Sequence, residues 1–473
     1  MKMKNKIYRG IAAGLIVLSG VGLSCNVLDQ DPQFQIATSE AFANPVNAEA
    51  ALNGLYNEAQ LVYNWRVQTL GELASDLVQS IDTWDNFNVI DEFRQTPDNT
   101  EIDDLYTQIY RTIDLANNII AFAPGVPGLS PERINDMLGQ AHTFRGMMYF
   151  ELVKYFGGIP GKYGELGVII ETEPSIGVGE DAFKERASLQ ATWDQARQDL
   201  ELGESLLPST RASNFLSRSR LTKAAATAML ARYYLYLDNW SQAEAKATEV
   251  INNSSFELVV PYSDIFRTDF SAESIFEMHY NVVDFSGFRQ WYFPASLAGR
   301  GGLSFHQPFA EELLARQGVD SRSDLIALNP AFGGVYYSTK FDELQNASNV
   351  PVLRIAEMYL IRAEARANLG NVSGGLADLN AVRNRAGLQD ATAGNPEELV
   401  DLILDERRFE FAIEGHRFFD MTRTDRAITE FTNIPRTTGA STYAIGDRGR
   451  YIFPIPNSEI FTNRNMVQNP AYR

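Results

Sequence analysis

The sequence predicts a mainly α protein in which paired amphipathic helices alternate with long loop tracts, and three observations carry that prediction. Apolar side chains recur at spacings of three and four, as in Phe144, Met148, Leu152 and Tyr155, the period of one buried helical stripe. Two segments, residues 231–250 and 353–382, follow one plan: aromatic and leucine side chains, a tight turn at Asp238-Asn239-Trp240 or Leu369-Gly370-Asn371, then small and branched apolar residues. Helix starts are marked by Ser130-Pro131-Glu132 and Asn395-Pro396, an N-cap followed by proline where no amide hydrogen is needed.

Taken in order, the chain opens with Lys2, Lys4, Lys6 and Arg9, then an apolar stretch over residues 11–23. That stretch falls short of the roughly 20 residues needed to span a bilayer, and with its charged flank it fits an export signal. Leu23-Ser24-Cys25 resembles a bacterial lipobox, with Gly22 where that motif usually carries Leu. Residues 1–24 are therefore expected to be a lipoprotein signal peptide and Cys25 the acylated new N-terminus, the alternative being an ordinary signal peptide with an incidental cysteine. Losing four positive charges takes the net charge from -19 to about -23.

Helix pairs are expected at residues 49–63 with 105–122 and at 134–155 with 187–207, the stripe from Ala141 ending at Gly157-Gly158-Ile159-Pro160. The two look-alike segments form further pairs. Small alanines where two helices cross resemble tetratricopeptide repeats, but Asn239 and Asn371 lie 132 positions apart, no multiple of the usual repeat of about 34. The array is thus interrupted by insertions. A helix follows Asn395, with Glu398 reaching back to the cap amide and Leu399, Leu402, Ile403, Phe409 and Ile413 buried. Between helices lie tracts 82–99, 157–179, 253–302, 329–349 and 432–450. Such long loops either carry function or are disordered, and their aromatic content argues against disorder.

Composition excludes several classes of function. The 473 residues are 45% hydrophobic and 21% charged, which rules out collagen-like, disulfide-scaffold and fully disordered chains and allows either about three domains or one large core. Sixty acidic against 41 basic side chains, with no basic tract after the leader, argues against nucleic acid as partner. A single cysteine permits no internal disulfide. His142, His279, His306 and His416 are scattered without ligand spacing, so no metal site or cofactor is expected; there is no EF-hand loop, although loop carboxylates leave structural calcium open. Phosphate-loop, dinucleotide and serine-hydrolase motifs are absent. Glu406 to Arg423 crowds nine charged or histidine side chains; Arg407 with Glu410 and Asp420 with Arg423 are expected as structural pairs on helix surfaces.

In the C-terminal half the motifs become family-specific. Arg354-Ile355-Ala356-Glu357-Met358-Tyr359-Leu360, with Ala363-Glu364-Ala365, then Glu406-Arg407-Arg408, Glu410, Glu414-Gly415, Arg417 and Asp420, and finally Pro454-Ile455-Pro456, Glu459, Asn463 and Gln468-Asn469-Pro470 resemble, in order, three blocks of the SusD/RagB family of Bacteroidetes outer-membrane lipoproteins. The resemblance covers essentially the whole mature chain. It implies a SusD-like fold, with four tetratricopeptide-like pairs against a loop-rich ligand-binding region, over residues 25–473 as one domain (an N-terminal part of about 25–215 and a C-terminal part of about 216–473). It implies a glycan-capturing, non-enzymatic lipoprotein, anchored in the outer membrane and facing the exterior, that serves a SusC-like TonB-dependent barrel. A RagB-type peptide-binding lid is the alternative, and a gate with little ligand affinity a third reading. Hydrolysis by a carboxylate pair has no residues that select it.

Sugar binding asks for flat aromatic faces over pyranose C–H surface and for amide or charged groups at hydroxyls. Trp193 and Trp240 lie on helical stripes or turns and are expected to pack. Trp84, among Asp82, Asp85, Asn86 and Asn88, is the first candidate; Trp291, beside Arg289 and Tyr292, is the second; Trp65 and Asp76 are weaker ones. Hydroxyl recognition is expected from Asn86, Asn88 and Arg289.

Overall fold

The computed structural model describes residues 38–81, 83–175, 183–331, 334–435 and 442–473. The leader, Cys25 and Asp82 lie outside the described residues.

Eight helices form the expected array: α1 Pro45–Val62, α2 Thr100–Phe122, α3 Pro131–Leu152, α4 Leu189–Leu206, α5 Lys223–Tyr236, α6 Trp240–Ile251, α7 Ile355–Asn368 and α8 Val372–Arg385. Each packs against the next, so that four pairs stack in sequence order. The caps follow the sequence. Ser130 accepts from the Arg133 amide at the start of α3, and Asn239 and Asn371 accept from Gln242 and Gly374 at the two repeat turns. Both turns pass through the left-handed region one residue earlier, at Asp238 (φ 55°) and Gly370 (φ 82°), so one turn geometry is built from different residues. The stripe Phe144, Met148, Leu152 and Tyr155 is fully buried. It runs past α3 through a π-helical segment, Val153–Gly157, and stops at Gly158, whose φ of 109° suits glycine and where a Cβ would stand 2.3 Å from the Tyr163 carbonyl oxygen. Trp193 is buried and donates to the Gly158 carbonyl at 2.9 Å.

One apolar core runs from Ala48 to Met466, with a satellite between α7, α8 and the helix Pro396–Glu410. That helix starts at Asn395 as expected, but Glu398 reaches the Gly394 amide rather than the cap's own, Leu402 is only half-buried, and Ile413 lies beyond the helix at φ 70°. The loop tracts are not featureless. Residues 82–99 contain the helix Asp85–Asp91, and residues 253–302 contain the strand Ser274–Met278 and the short helix Phe288–Tyr292. Among the described residues no helix is long and apolar enough to cross a membrane.

The charged C-terminal block is scaffold, with one correction to its pairing. Asp420 and Arg423 do pair, at 2.9 Å, but Arg407 also bonds Asp420, at 2.7 Å, instead of Glu410. Glu410 is drawn to Arg354 at 3.0 Å and to Arg385 from other elements. Burial pushes its pKa up, and Arg385, Arg354 and Arg322 hold it down at about 2. Arg423 grips Glu364 of α7 with two bonds of 2.6 and 2.7 Å. His416 stays neutral because burial and the surrounding arginines oppose its protonation. The closing motif is scaffold too: Asn469 donates to the Phe156 and Phe453 carbonyls and accepts from Arg186, tying the tail to the π-helical segment that follows α3.

Candidate functional site

Strand pairing assembles the site. Val78–Ser80 runs antiparallel to Leu303–Phe305, with Ser80 opposite Leu303, and the Ile81 amide extends the ladder to the Gly302 carbonyl. This clips the segment that carries Trp84 beside the one that carries Trp291. Asn99 and Thr100 hold the other end of that segment: Asn99 donates to the Asn86 carbonyl at 2.8 Å, and the Asn86 amide donates to Thr100 Oγ1 at 2.6 Å.

Trp65 begins the helix Trp65–Leu73, and its amide donates to the Ser286 carbonyl. Gly287 follows at φ 84°; a Cβ there would lie 2.4 Å from Trp65 Cδ1, so glycine is what lets the loop close on the indole. The three tryptophans meet, with Trp291 centroids 5.3 Å from Trp65 and 6.2 Å from Trp84, and Phe87 edge-on to Trp291 at 5.0 Å. Trp65 and Trp291 are 6% and 7% exposed, whereas Trp84 is half-buried, so Trp84 offers the largest open indole face.

All three line one cavity of about 530 Å³. The Arg300 guanidinium lies 4.9 Å from Trp84 and 5.1 Å from Trp291, a cation on the ring faces. Arg66 lies 4.9 Å from the Trp65 ring and pairs with Glu101 at 3.0 Å. Burial raises the Glu101 pKa, against the opposing pull of Arg66. Asn57, Gln60, Asn64, Gln290, Tyr280 and Asp284 add to the polar lining. The arrangement therefore offers aromatic surface ringed by amide donors and acceptors. Among the described residues, no group of three or more His, Cys, Asp or Glu side chains gathers to hold a metal ion.

Several residues singled out from the sequence lie elsewhere. Asp76 is bound by Arg417 at 2.8 and 2.9 Å; burial alone would raise its pKa, but the Arg417 charge holds it below the usual range. Arg289 donates to the Asp342 and Leu297 carbonyls, so it braces loops. Tyr292 is 2% exposed and meets Thr69 Oγ1 at 3.2 Å. Asn86 fastens the loop, and Asn88 does not line the cavity. None of the expected hydroxyl-recognising set, Asn86, Asn88 and Arg289, lines this cavity; its polar lining comes instead from residues that include Asn57 and Gln60 of α1, Gln290 and Arg300. The polar residues of α1 were missed because their spacing is that of any solvated helix face, and Arg300 carries no local motif.

Comparison with known proteins supplies the family. Residues 332–472 match the family described as the SusD family, and residues 26–235 match one described as starch-binding associating with outer membrane. A SusD-like protein of Formosa agariphila is 24% identical over 99% of this chain and 100% of its own. Among solved structures, a SusD superfamily protein from Bacteroides thetaiotaomicron superposes with a TM-score of 0.79 at 24% identity, over 90% of this chain and all of that one. A laminarin-binding SusD-like protein does so with a TM-score of 0.75 at 23% identity, over 91% of this chain and all of that one. With the stacked helix pairs and the ordered C-terminal motifs, these matches establish that the chain belongs to the SusD/RagB family.

Proposed function

We propose that the protein is a non-catalytic glycan-binding lipoprotein, anchored through Cys25 in the outer membrane and facing the exterior, that captures oligosaccharide and passes it to a SusC-like TonB-dependent barrel. The observation that carries this reading is the convergence of Trp65, Trp84 and Trp291 on one cavity with amide and arginine groups at its rim. A pyranose ring lays its C–H surface on an indole face, and its hydroxyls exchange hydrogen bonds with side chains that both donate and accept, as Asn57, Gln60 and Gln290 do. The starch-binding description of the matching family and the laminarin-binding relative support the same class of ligand.

Native affinity electrophoresis through gels containing laminarin, xylan, starch, polygalacturonate or alginate tests the reading. Retardation by one of them is expected, lowered at least tenfold by Trp84→Ala, whose half-exposed ring is removed with little loss of core, and insensitive to salt if the glycan is neutral. No reducing ends should be released. Unchanged retention in both Trp84→Ala and Trp291→Ala, with folding intact, refutes it. Binding of extended peptides with no glycan bound would instead support the RagB-type lid.

A further inference from the structure

The tryptophan cavity does not end at its own walls. Asn57, Gln60 and Asp284 are shared with a second cavity of about 590 Å³, and Asn53, Leu216 and Arg220 link that one to a third of about 400 Å³. Their common floor is α1. Glu49, Asn53, Asn57 and Gln60 stand at intervals of four, four and three, which puts them on one helical face, and they cover about 16 Å at 1.5 Å per residue. Three of the four are primary amides, able to donate and accept at once.

Gly54, in the interior of α1, lines the middle cavity. A mid-helix glycine costs about 1 kcal/mol relative to alanine, and neither a left-handed backbone nor a packed neighbour calls for one here, because an added Cβ would meet nothing within 4 Å. What it provides is open space at the helix surface. On the facing wall, Arg220 lies 4.0 Å from the Tyr56 ring and donates to Asn53 Oδ1 at 2.6 Å, fixing the orientation of that amide.

We infer that the three cavities form one groove, and that the ligand is an extended oligosaccharide stretch that starts on the tryptophans and runs along α1 over Gly54 towards Arg220. The inference rests on the glycan-binding reading and adds to it the length of the ligand and the line it follows. Short sugars fill only the tryptophan end; a longer chain passes Gly54 and gains hydroxyl contacts with Asn53.

The purified protein is titrated calorimetrically with di- and hexasaccharides of laminarin, xylan and starch, alongside the affinity gels. The hexasaccharide of the series that binds is expected to bind at least tenfold more tightly than its disaccharide. Gly54→Leu, which fills open space, should cut hexasaccharide affinity at least fivefold and leave disaccharide affinity unchanged. Asn53→Ala, which only shortens an exposed side chain, should also weaken the hexasaccharide, and Trp84→Ala should weaken both sugars. Equal affinity for the two lengths, or a hexasaccharide indifferent to Gly54→Leu while Trp84→Ala abolishes binding, overturns the groove and leaves the tryptophan site standing. Absence of binding to every glycan overturns both.

Discussion

Two glycine-to-alanine substitutions in helix interiors should have opposite effects on stability. In an isolated helix each change is favourable by about 0.8–1 kcal/mol, because alanine loses less backbone freedom. At Gly54 nothing lies within 4 Å of the new Cβ, so the full gain should survive and Gly54→Ala should stabilise the protein by about 1 kcal/mol. At Gly146 the new Cβ would stand 2.8 Å from Leu200 Cγ, 2.9 Å from the Ala196 carbonyl oxygen and 3.0 Å from the Leu200 amide nitrogen. Two of those three atoms are backbone of α4, so relief requires α3 and α4 to move apart rather than one side chain to turn. Such overpacking costs about 1–3 kcal/mol, which outweighs the helix-propensity gain and leaves a net loss of up to about 2 kcal/mol. Urea unfolding followed by circular dichroism, with slopes compared to exclude a changed unfolded state, reads both. Shifts of the same sign refute the reasoning: a stabilised Gly146→Ala would mean the α3–α4 crossing is not tight, and a destabilised Gly54→Ala would mean the α1 face is not open.

Two further predictions concern buried charge. The carboxyl of Glu72 is pushed up to about 8 by burial, against a hydrogen bond from the Gly415 amide; the native state therefore keeps a proton that the unfolded chain loses, and stability should fall as pH rises from about 4.5 to 8. Glu72→Gln retains an acceptor for Gly415 and should flatten that decline in unfolding titrations, an unaltered slope refuting the assignment. Arg423→Met leaves Glu364 and Asp420 buried without their shared cation and should cost about 3–5 kcal/mol. Adding Glu364→Gln should recover part of that loss in a double-mutant cycle, and a single-mutant cost below about 1 kcal/mol would refute the role of the pair.

Much of the fold was legible because its determinants are local. Caps at Ser130, Asn239, Asn371 and Asn395 bond amides three residues away, and the stripe of α3 repeats every three or four residues, so neighbouring letters suffice to read both. The partner of Arg407 was misassigned for the converse reason. A surface pair with Glu410 was favoured by spacing, but burial brought Arg354 and Arg385 to Glu410 from distant elements and left Arg407 to Asp420. The candidate site divided in the same way. Tryptophans in polar loops stand out in a sequence, and three of them met; Asp76, Arg289 and Tyr292 stood near them in the chain yet turned inward to partners of their own.

By itself, the sequence determined the helix pairs, their caps, the C-terminal scaffold motifs and the aromatic residues in need of an explanation, since each depends on contacts within about one helical turn or on ordered blocks of residues. Only the tertiary structure decided that Trp84 and Trp291 share a wall, because a strand pairing more than 200 residues apart in sequence joins them. It alone separates Gly54 from Gly146. A glycine beside open space and a glycine beneath another helix have the same local sequence signature, and the difference lies in atoms brought there by packing.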